Sequence, residues 1–310
     1  MGWEVYYSHS SIKNLVGLKM KVLLTGASGF VGQHILSSLI RHGIDVVTIG
    51  RTQAHTHIEF IQADLLQIEN FSEVIEEAQA THLIHCAWYT QHGDYWTSTL
   101  NLRWLEASLK LIECFCLQGG RHVTVAGTCA EYDWSYGYLN EELTPLKPQT
   151  FYGVTKKSLC QLTMQLCAHY QVQCAWGRIY YSFGPGENPK RLIPSLIKVF
   201  KEGASPFTIN SFVYRDFLHV YDIAEAFVYF VLAHAHGEYN ISSAEPTRLD
   251  KIVQILASQF NANPEPILAL AAQKVNEPQI IVGTNSKIKA LGWEPLYSLE
   301  HGLKLVSQGI

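Results

Sequence analysis

The chain has 310 residues, of which 47% are hydrophobic and 16% charged, enough to bury a large core in one large domain or two unequal ones. Its formal net charge of -4 provides no basic footprint for nucleic acid or an anionic membrane. No apolar run reaches the ~18–20 residues of a membrane span, so no membrane partner is expected, and scattered cysteines without a framework point to a cytoplasmic protein.

Residues 1–19 precede a second methionine, Met20, and lack the apolar core and cleavage site of a signal peptide. They are expected to form a disordered extension, with a short arm packed on the surface as the alternative. From Met20 the pattern alternates. Strands are predicted at 21–26 (KVLLTG), 45–50 (DVVTIG), 58–64 (IEFIQAD), 81–87 (THLIHCA), 122–127 (HVTVAG) and 172–179 (VQCAWGRI). Helices are predicted over 30–41, 71–78, 96–117 and 152–170. Such alternation indicates an α/β fold with a doubly wound parallel sheet covered on both faces. After Ile179 the loops become longer and carry more Gly and Pro. Residues 20–179 and about 211–235 are therefore assigned to a dinucleotide-binding domain. About 180–210 and 236–310 are assigned to a smaller substrate-binding domain.

The sharpest local signal is TGASGFVG, in which Gly26, Gly29 and Gly32 are spaced as GxxGxxG between a predicted strand and a predicted helix. Glycines there allow a tight turn and close approach of a pyrophosphate, while the helix start offers unpaired N–H groups. Cofactor choice is expected at the end of the second strand, where an acid would disfavour a 2′-phosphate. This chain has Arg51 there, beside Thr52, which favours NADP over NAD through charge-assisted bonds. An exposed arginine with no ligand is the alternative.

Tyr152 and Lys156, in YGVTK, lie at i and i+4, one helix face. An ammonium so placed can lower the tyrosine pKa and poise it for proton exchange with a carbonyl or alcohol. With sixteen tyrosines in the chain, about one such spacing arises by chance. Its weight comes from lying downstream of the fifth strand in a chain with the glycine motif. Thr128, just after that strand, supplies a hydroxyl to hold the substrate oxygen; a turn cap is its alternative role. Seven scattered cysteines without a CxxC pair suggest reduced thiols, and fourteen histidines without ligand spacing predict no metal site.

These segments, with ADL at Asp64, HCAWYT, GTCAEY, RIYYSFGPGE, YRDFLHVYDIAEAF and SKIKALGWEP, resemble the extended short-chain dehydrogenase/reductase superfamily. The resemblance is to its NAD-dependent epimerase/dehydratase branch, which acts on nucleotide sugars, and it covers nearly everything from Met20 onward. It implies a catalytic trio of Thr128, Tyr152 and Lys156. It implies cofactor contacts from Ser28, Phe30 and Val31 in the glycine loop, from Asp64 and Leu65, and from Ala87 after the fourth strand. It also implies that Arg215 clamps the substrate diphosphate and that Arg191 meets the nucleotide half. Surface salt bridges are the alternative for both arginines. Trp88, Tyr89 and Tyr181 are expected to touch the sugar, or else to pack in the core.

The 4,6-dehydratases of this branch carry Thr-Asp-Glu at the active hydroxyl; this chain has Thr128, Cys129 and Ala130, with Glu131 one place too late for elimination. Cys129 is also one place short of the thiol of the bifunctional GDP-sugar epimerase/reductases. The expected activity is reduction of the C4 ketone of a nucleotide-linked 4-keto-6-deoxyhexose. A C4 epimerase with retained NAD is the alternative, and a non-enzymatic dinucleotide sensor or scaffold is a third reading. Apolar residues wrapping around the helices at 96–117 and 152–170, among them Leu102, Leu105, Leu109 and Met164, predict a homodimer.

Overall fold

The computed structural model describes residues 20–273 and 277–309; the segment 1–19, expected to be an extension, lies outside them. Seven strands form one parallel sheet: β1 (Lys21–Thr25), β2 (Asp45–Gly50), β3 (Glu59–Gln62), β4 (His82–His85), β5 (His122–Thr128), β7 (Gln173–Ile179) and β10 (Gly237–Ile241). Their spatial order is β10-β7-β5-β4-β1-β2-β3. Both faces are covered because successive side chains alternate across the sheet. Val22 and Leu24 of β1 face a core built with α1 (Phe30–Arg41) and α6 (Val220–Leu232). Leu23 faces the opposite core, under α2 (Phe71–Ala78), α3 (Leu100–Leu117) and α4 (Phe151–His169). The chain runs outward from β1 through β2 to β3, then returns to β4 on the other side of β1. That reversal opens a crevice at the carboxyl ends of β1 and β4, where ligands of such sheets bind.

A second sheet has the order β11-β9-β12-β6, made of β6 (Tyr138–Leu139), β9 (Tyr214–His219), β11 (Pro246–Arg248) and β12 (Ile280–Gly283); β8 (Tyr181–Phe183) pairs with β9. Ile193 and Leu196 of α5 (Leu192–Glu202), Ile252 and Leu256 of α7 (Leu249–Gln259), Ile267 of α8 (Glu265–Leu268) and Leu303 of α10 (Leu299–Gln308) share a separate core. Ile288 of α9 (Ser286–Lys289) instead joins the core under α1 and α6.

Pairing divides the later segments differently from the sequence expectation. Within 211–235, α6 packs on α1 but β9 belongs to the smaller sheet. Residues 237–241, expected in the smaller domain, form the edge strand β10 beside β7. The reason is local texture. YRDFLH is buried along almost its whole length and reads like a large-sheet strand, while GEYNI begins on a glycine at φ +110 and reads like a loop.

Candidate active site

At the crevice the chain encloses a cleft of about 890 Å³. Its floor starts at the glycine turn after β1. Gly26 adopts φ +75, and a Cβ on it would come within 2.7 Å of the Ala87 nitrogen, so the turn lies directly against the loop after β4. Thr25 fixes that loop: its buried hydroxyl accepts the Cys86 and Ala87 N–H groups at 3.1 Å and pairs with His85 Nδ1 at 2.8 Å. Gly29 caps α1 without a side-chain hydrogen bond, and Ser28, Phe30, Val31 and Gly32 line the cleft beside it. First-turn N–H groups at such a terminus suit a pyrophosphate, and the missing Cβ atoms of Gly26 and Gly32 let the turn pack against the loop after β4 and against the start of α1.

Arg51 and Thr52, just past β2, line the next stretch, with Asp64 and Leu65 opposite. Asp64 also accepts the Leu66 N–H at 3.1 Å. Ala87 and Trp88 continue the wall toward Thr128, Tyr152 and Lys156, which converge in the cleft and are each at most 9% exposed. Thr128 comes from the end of β5, and α4 presents Tyr152 and Lys156 one turn apart. The Lys156 ammonium donates to the Ala126 carbonyl at 2.6 Å and sits 4.1 Å above the Trp88 ring. Burial lowers its pKa to about 8, against the opposing pull of Glu131.

Tyr152 lies between the Thr128 hydroxyl and the Tyr95 and Trp96 rings. Burial first, then Tyr95, push its phenol well above the ordinary range, and Thr128 only partly opposes them. These surroundings favour the protonated phenol. Desolvation outweighs attraction at this depth.

Tyr181 and Arg191 also line the cleft, and Arg191 Nε lies 3.2 Å from Glu187. Two expected substrate contacts fall elsewhere. Arg215 stands behind the Tyr181 ring, bonded to Glu277 at 2.9 Å and to the Tyr214 carbonyl, off the cleft wall. Tyr89 turns from the wall to bond Asp94. Instead the wall over Tyr152 is aromatic: the Tyr95 ring meets it edge-on at 5.0 Å and Trp96 at 5.7 Å. Asn101, fully buried, holds this segment by accepting from Trp88 Nε1 at 2.8 Å and donating to the carbonyls of Tyr95 and Ser98. The aromatic run in WYTQHGDYW was the signal for these residues, hidden because nothing in it marks which rings turn inward.

Cys129 is buried against Tyr132, Leu139 and Tyr180, and burial, Asp216 and Glu131 push its thiol up to about 12, so it is a packing residue and no thiolate nucleophile. Among the described residues no helix is long and apolar enough to cross a membrane, and no group of His, Cys, Asp and Glu could hold a metal ion.

The NAD dependent epimerase/dehydratase family pattern matches residues 22–242. The chain is 23% identical to CDP-abequose synthase of Salmonella typhimurium, over 93% of this chain and 97% of that protein. It is 25% identical to a trifunctional UDP-glucose 4,6-dehydratase/UDP-4-keto-6-deoxy-D-glucose 3,5-epimerase/UDP-4-keto-L-rhamnose-reductase of Arabidopsis thaliana, over 91% of this chain and 46% of that protein. It thus spans about half the length of that relative. The solved UDP-glucose 4-epimerase of Thermus thermophilus, in complex with NAD, superposes with a TM-score of 0.79 at 21% identity, covering 94% of this chain and 98% of that one. That likeness is one of fold.

Proposed function

The chain belongs to the NAD dependent epimerase/dehydratase family, and on that premise we propose a cytoplasmic, NADP-dependent reductase of the C4 ketone of a nucleotide-linked 4-keto-6-deoxyhexose. One observation carries the reading: Thr128, Tyr152 and Lys156 line the cleft together, while the two residues after Thr128 are Cys129 and Ala130 and the carboxylate that follows, Glu131, is not on the cleft wall. Cys129 and Ala130 occupy the positions where elimination chemistry needs an acid and a base, and Glu131 is ion-paired with Arg178 out of the cleft.

A bound nicotinamide dinucleotide supplies the hydride. Tyr152 donates its proton to the ketone oxygen as charge develops there. The Thr128 hydroxyl hydrogen-bonds the same oxygen and orients it. The Lys156 ammonium stabilises the phenolate left behind and reaches the nicotinamide ribose. The α1 terminus receives the pyrophosphate, and Asp64 meets the adenine. Arg51 at the rim favours a 2′-phosphate, the basis for preferring NADP. Trp88, Tyr95, Trp96 and Tyr181 shape the sugar pocket. Arg191, on the cleft wall, meets the nucleotide half of the substrate, and Arg215, paired with Glu277 off that wall, is the weaker candidate for the diphosphate.

The C4 epimerase reading keeps the same trio and is favoured by the fold likeness to a UDP-glucose 4-epimerase. Incubating the protein with CDP-, UDP-, dTDP- and GDP-linked 4-keto-6-deoxyhexoses and NADPH decides between them. Consumption of NADPH with one of these supports the reductase. No consumption, together with NAD retained through purification, supports the epimerase.

Of the residues expected to wrap outward, Leu105, Leu109 and Met164 pack partly buried against the core, whereas Leu102, with Val154 and Leu162, is exposed on α3 and α4, which supports a homodimer through these helices. Sedimentation is expected to show twice the 34.9 kDa chain mass, and a single species at that mass refutes it.

A further inference from the structure

After Thr128 the backbone makes a short turn, Cys129–Glu131, closed reciprocally: the Thr128 hydroxyl accepts the Ala130 N–H at 3.2 Å, and the Glu131 carboxylate accepts the Thr128 N–H at 2.8 Å. Reciprocal caps are ordinary at exposed helix starts. This one is buried, with Glu131 at 0% exposure. A carboxylate so deep must be fully partnered. Trp176 Nε1 donates to its two oxygens at 3.0 and 3.2 Å, and Arg178 Nε donates at 2.8 Å.

Arg178, equally buried, donates to the Tyr132 hydroxyl at 3.0 Å and to Glu238, and lies 4.7 Å from the Tyr132 ring centre. Tyr132 in turn donates to Asn240 at 2.8 Å. A chain of bonds thus runs from β10 through β7 to the backbone of Thr128. Gly127 leaves the necessary room, since a Cβ there would come 2.1 Å from Trp176 Nε1 and 2.8 Å from Glu131.

A buried ion pair is a poor source of stability compared with apolar side chains of the same volume. What it gives is geometry, and its end point is the residue before the turn. We propose that Glu131 is a positioning residue for the reaction: held by Arg178 and Trp176, its carboxylate fixes the Thr128 backbone and so aims the Thr128 hydroxyl at the reacting oxygen beside Tyr152. This rests on the reading of Thr128 as the hydroxyl that orients the ketone.

Glu131→Asp keeps the counter-charge of Arg178 but is one carbon too short to span Arg178 and the Thr128 N–H together. Glu131→Gln keeps the length but turns an amide donor against Arg178 or Trp176. With the nucleotide-linked 4-keto sugar that the panel identifies, each variant is expected to lose about 10²-fold in kcat, the scale of a misplaced reacting group. KM and dinucleotide affinity should stay within about twofold, as a loss confined to the transition state requires. Combining either with Thr128→Ala should be no slower than Thr128→Ala alone, because the two act through one hydroxyl.

Losses that multiply overturn the Glu131 proposal and leave the role of Thr128 standing. Full activity of Thr128→Ala overturns both. A readout independent of turnover is the crystal structure of Glu131→Asp, in which Thr128 should shift by at least ~0.5 Å relative to Tyr152. Thr128 and Tyr152 superposing on the wild type there overturns the proposal even if no sugar of the panel is reduced.

Discussion

Gly32→Ala sets two effects of opposite sign against each other. Alanine in place of glycine inside a helix is worth about 1 kcal/mol in propensity. Here the added Cβ would stand 2.0 Å from the Gly26 carbonyl oxygen, 2.7 Å from its carbon and 3.2 Å from the Ala27 Cα, all backbone atoms. Gly26 cannot retreat, because it already lies against Ala87 and its carbonyl accepts the Gly29 N–H at 2.9 Å. Relief requires α1 to move away by about 1 Å, against the packing of Ile35, Leu36 and Leu39 in the core shared with α6. Overpacking of this kind costs about 1–3 kcal/mol, so the clash outweighs the propensity gain and the melting temperature should fall. The larger effect is on binding. Two first-turn N–H groups drawn away from a pyrophosphate forfeit about 3 kcal/mol, or roughly 10²-fold in affinity. Titrating NADP and NAD into both proteins by calorimetry, beside thermal melts, measures each term. Wild-type affinity in Gly32→Ala would refute the placement of the phosphates at this helix end.

Tyr152→Phe should lower turnover by about 10²–10⁴-fold while dinucleotide affinity survives, and near-normal turnover would remove Tyr152 as the acid. Arg51→Ala should weaken NADPH by about tenfold and leave NADH unchanged, which competitive titration checks; equal effects on both would return Arg51 to an ordinary surface residue. Lys156 titrates near 8, so kcat/KM, which reports the free enzyme, should fall as pH rises through that value and the ammonium beside Tyr152 loses its charge. A profile flat to about pH 10 would show that the charge of Lys156 does not matter to the reaction.

Much of the large sheet was legible because its strands are continuous apolar runs. The helices 30–41 and 71–78 agree to the residue with α1 and α2. The smaller sheet was not legible. β6, β8 and β11 have only two or three residues, too few for any period to register, and their pairing is set by distant segments such as β9 and β12. At the site, the residues with a spacing rule came together: Gly26, Gly29 and Gly32 at the turn, Tyr152 and Lys156 on α4. Residues placed by a loop path were harder. Tyr89 and Tyr95 are both tyrosines of one segment, yet Asp94 draws one outward and Asn101 holds the carbonyl of the other. The Glu131–Arg178 pair joins two segments 47 residues apart, and nothing in either predicts the other.

Reduction and epimerisation differ in the proton that moves first. A ketone reductase needs an acid at the start, because its substrate oxygen must gain a proton. An epimerase must first take a proton from a C4 hydroxyl, and so needs Tyr152 ionised before any hydride leaves. The largest influences of the protein on Tyr152 oppose ionisation, since it is buried and Tyr95 lies edge-on against it, and the Thr128 hydroxyl offsets them in part. Lys156, the cation of the trio, is engaged by the Ala126 carbonyl and the Trp88 face, and is itself lowered toward neutrality by burial. Both reactions pass through the same phenolate, formed before hydride leaves in epimerisation and left behind by proton donation in reduction, so these influences weigh on each. Reduction and epimerisation are therefore separated by the oxidation state of the dinucleotide the protein carries, which the NADPH panel and the cofactor retained through purification read out.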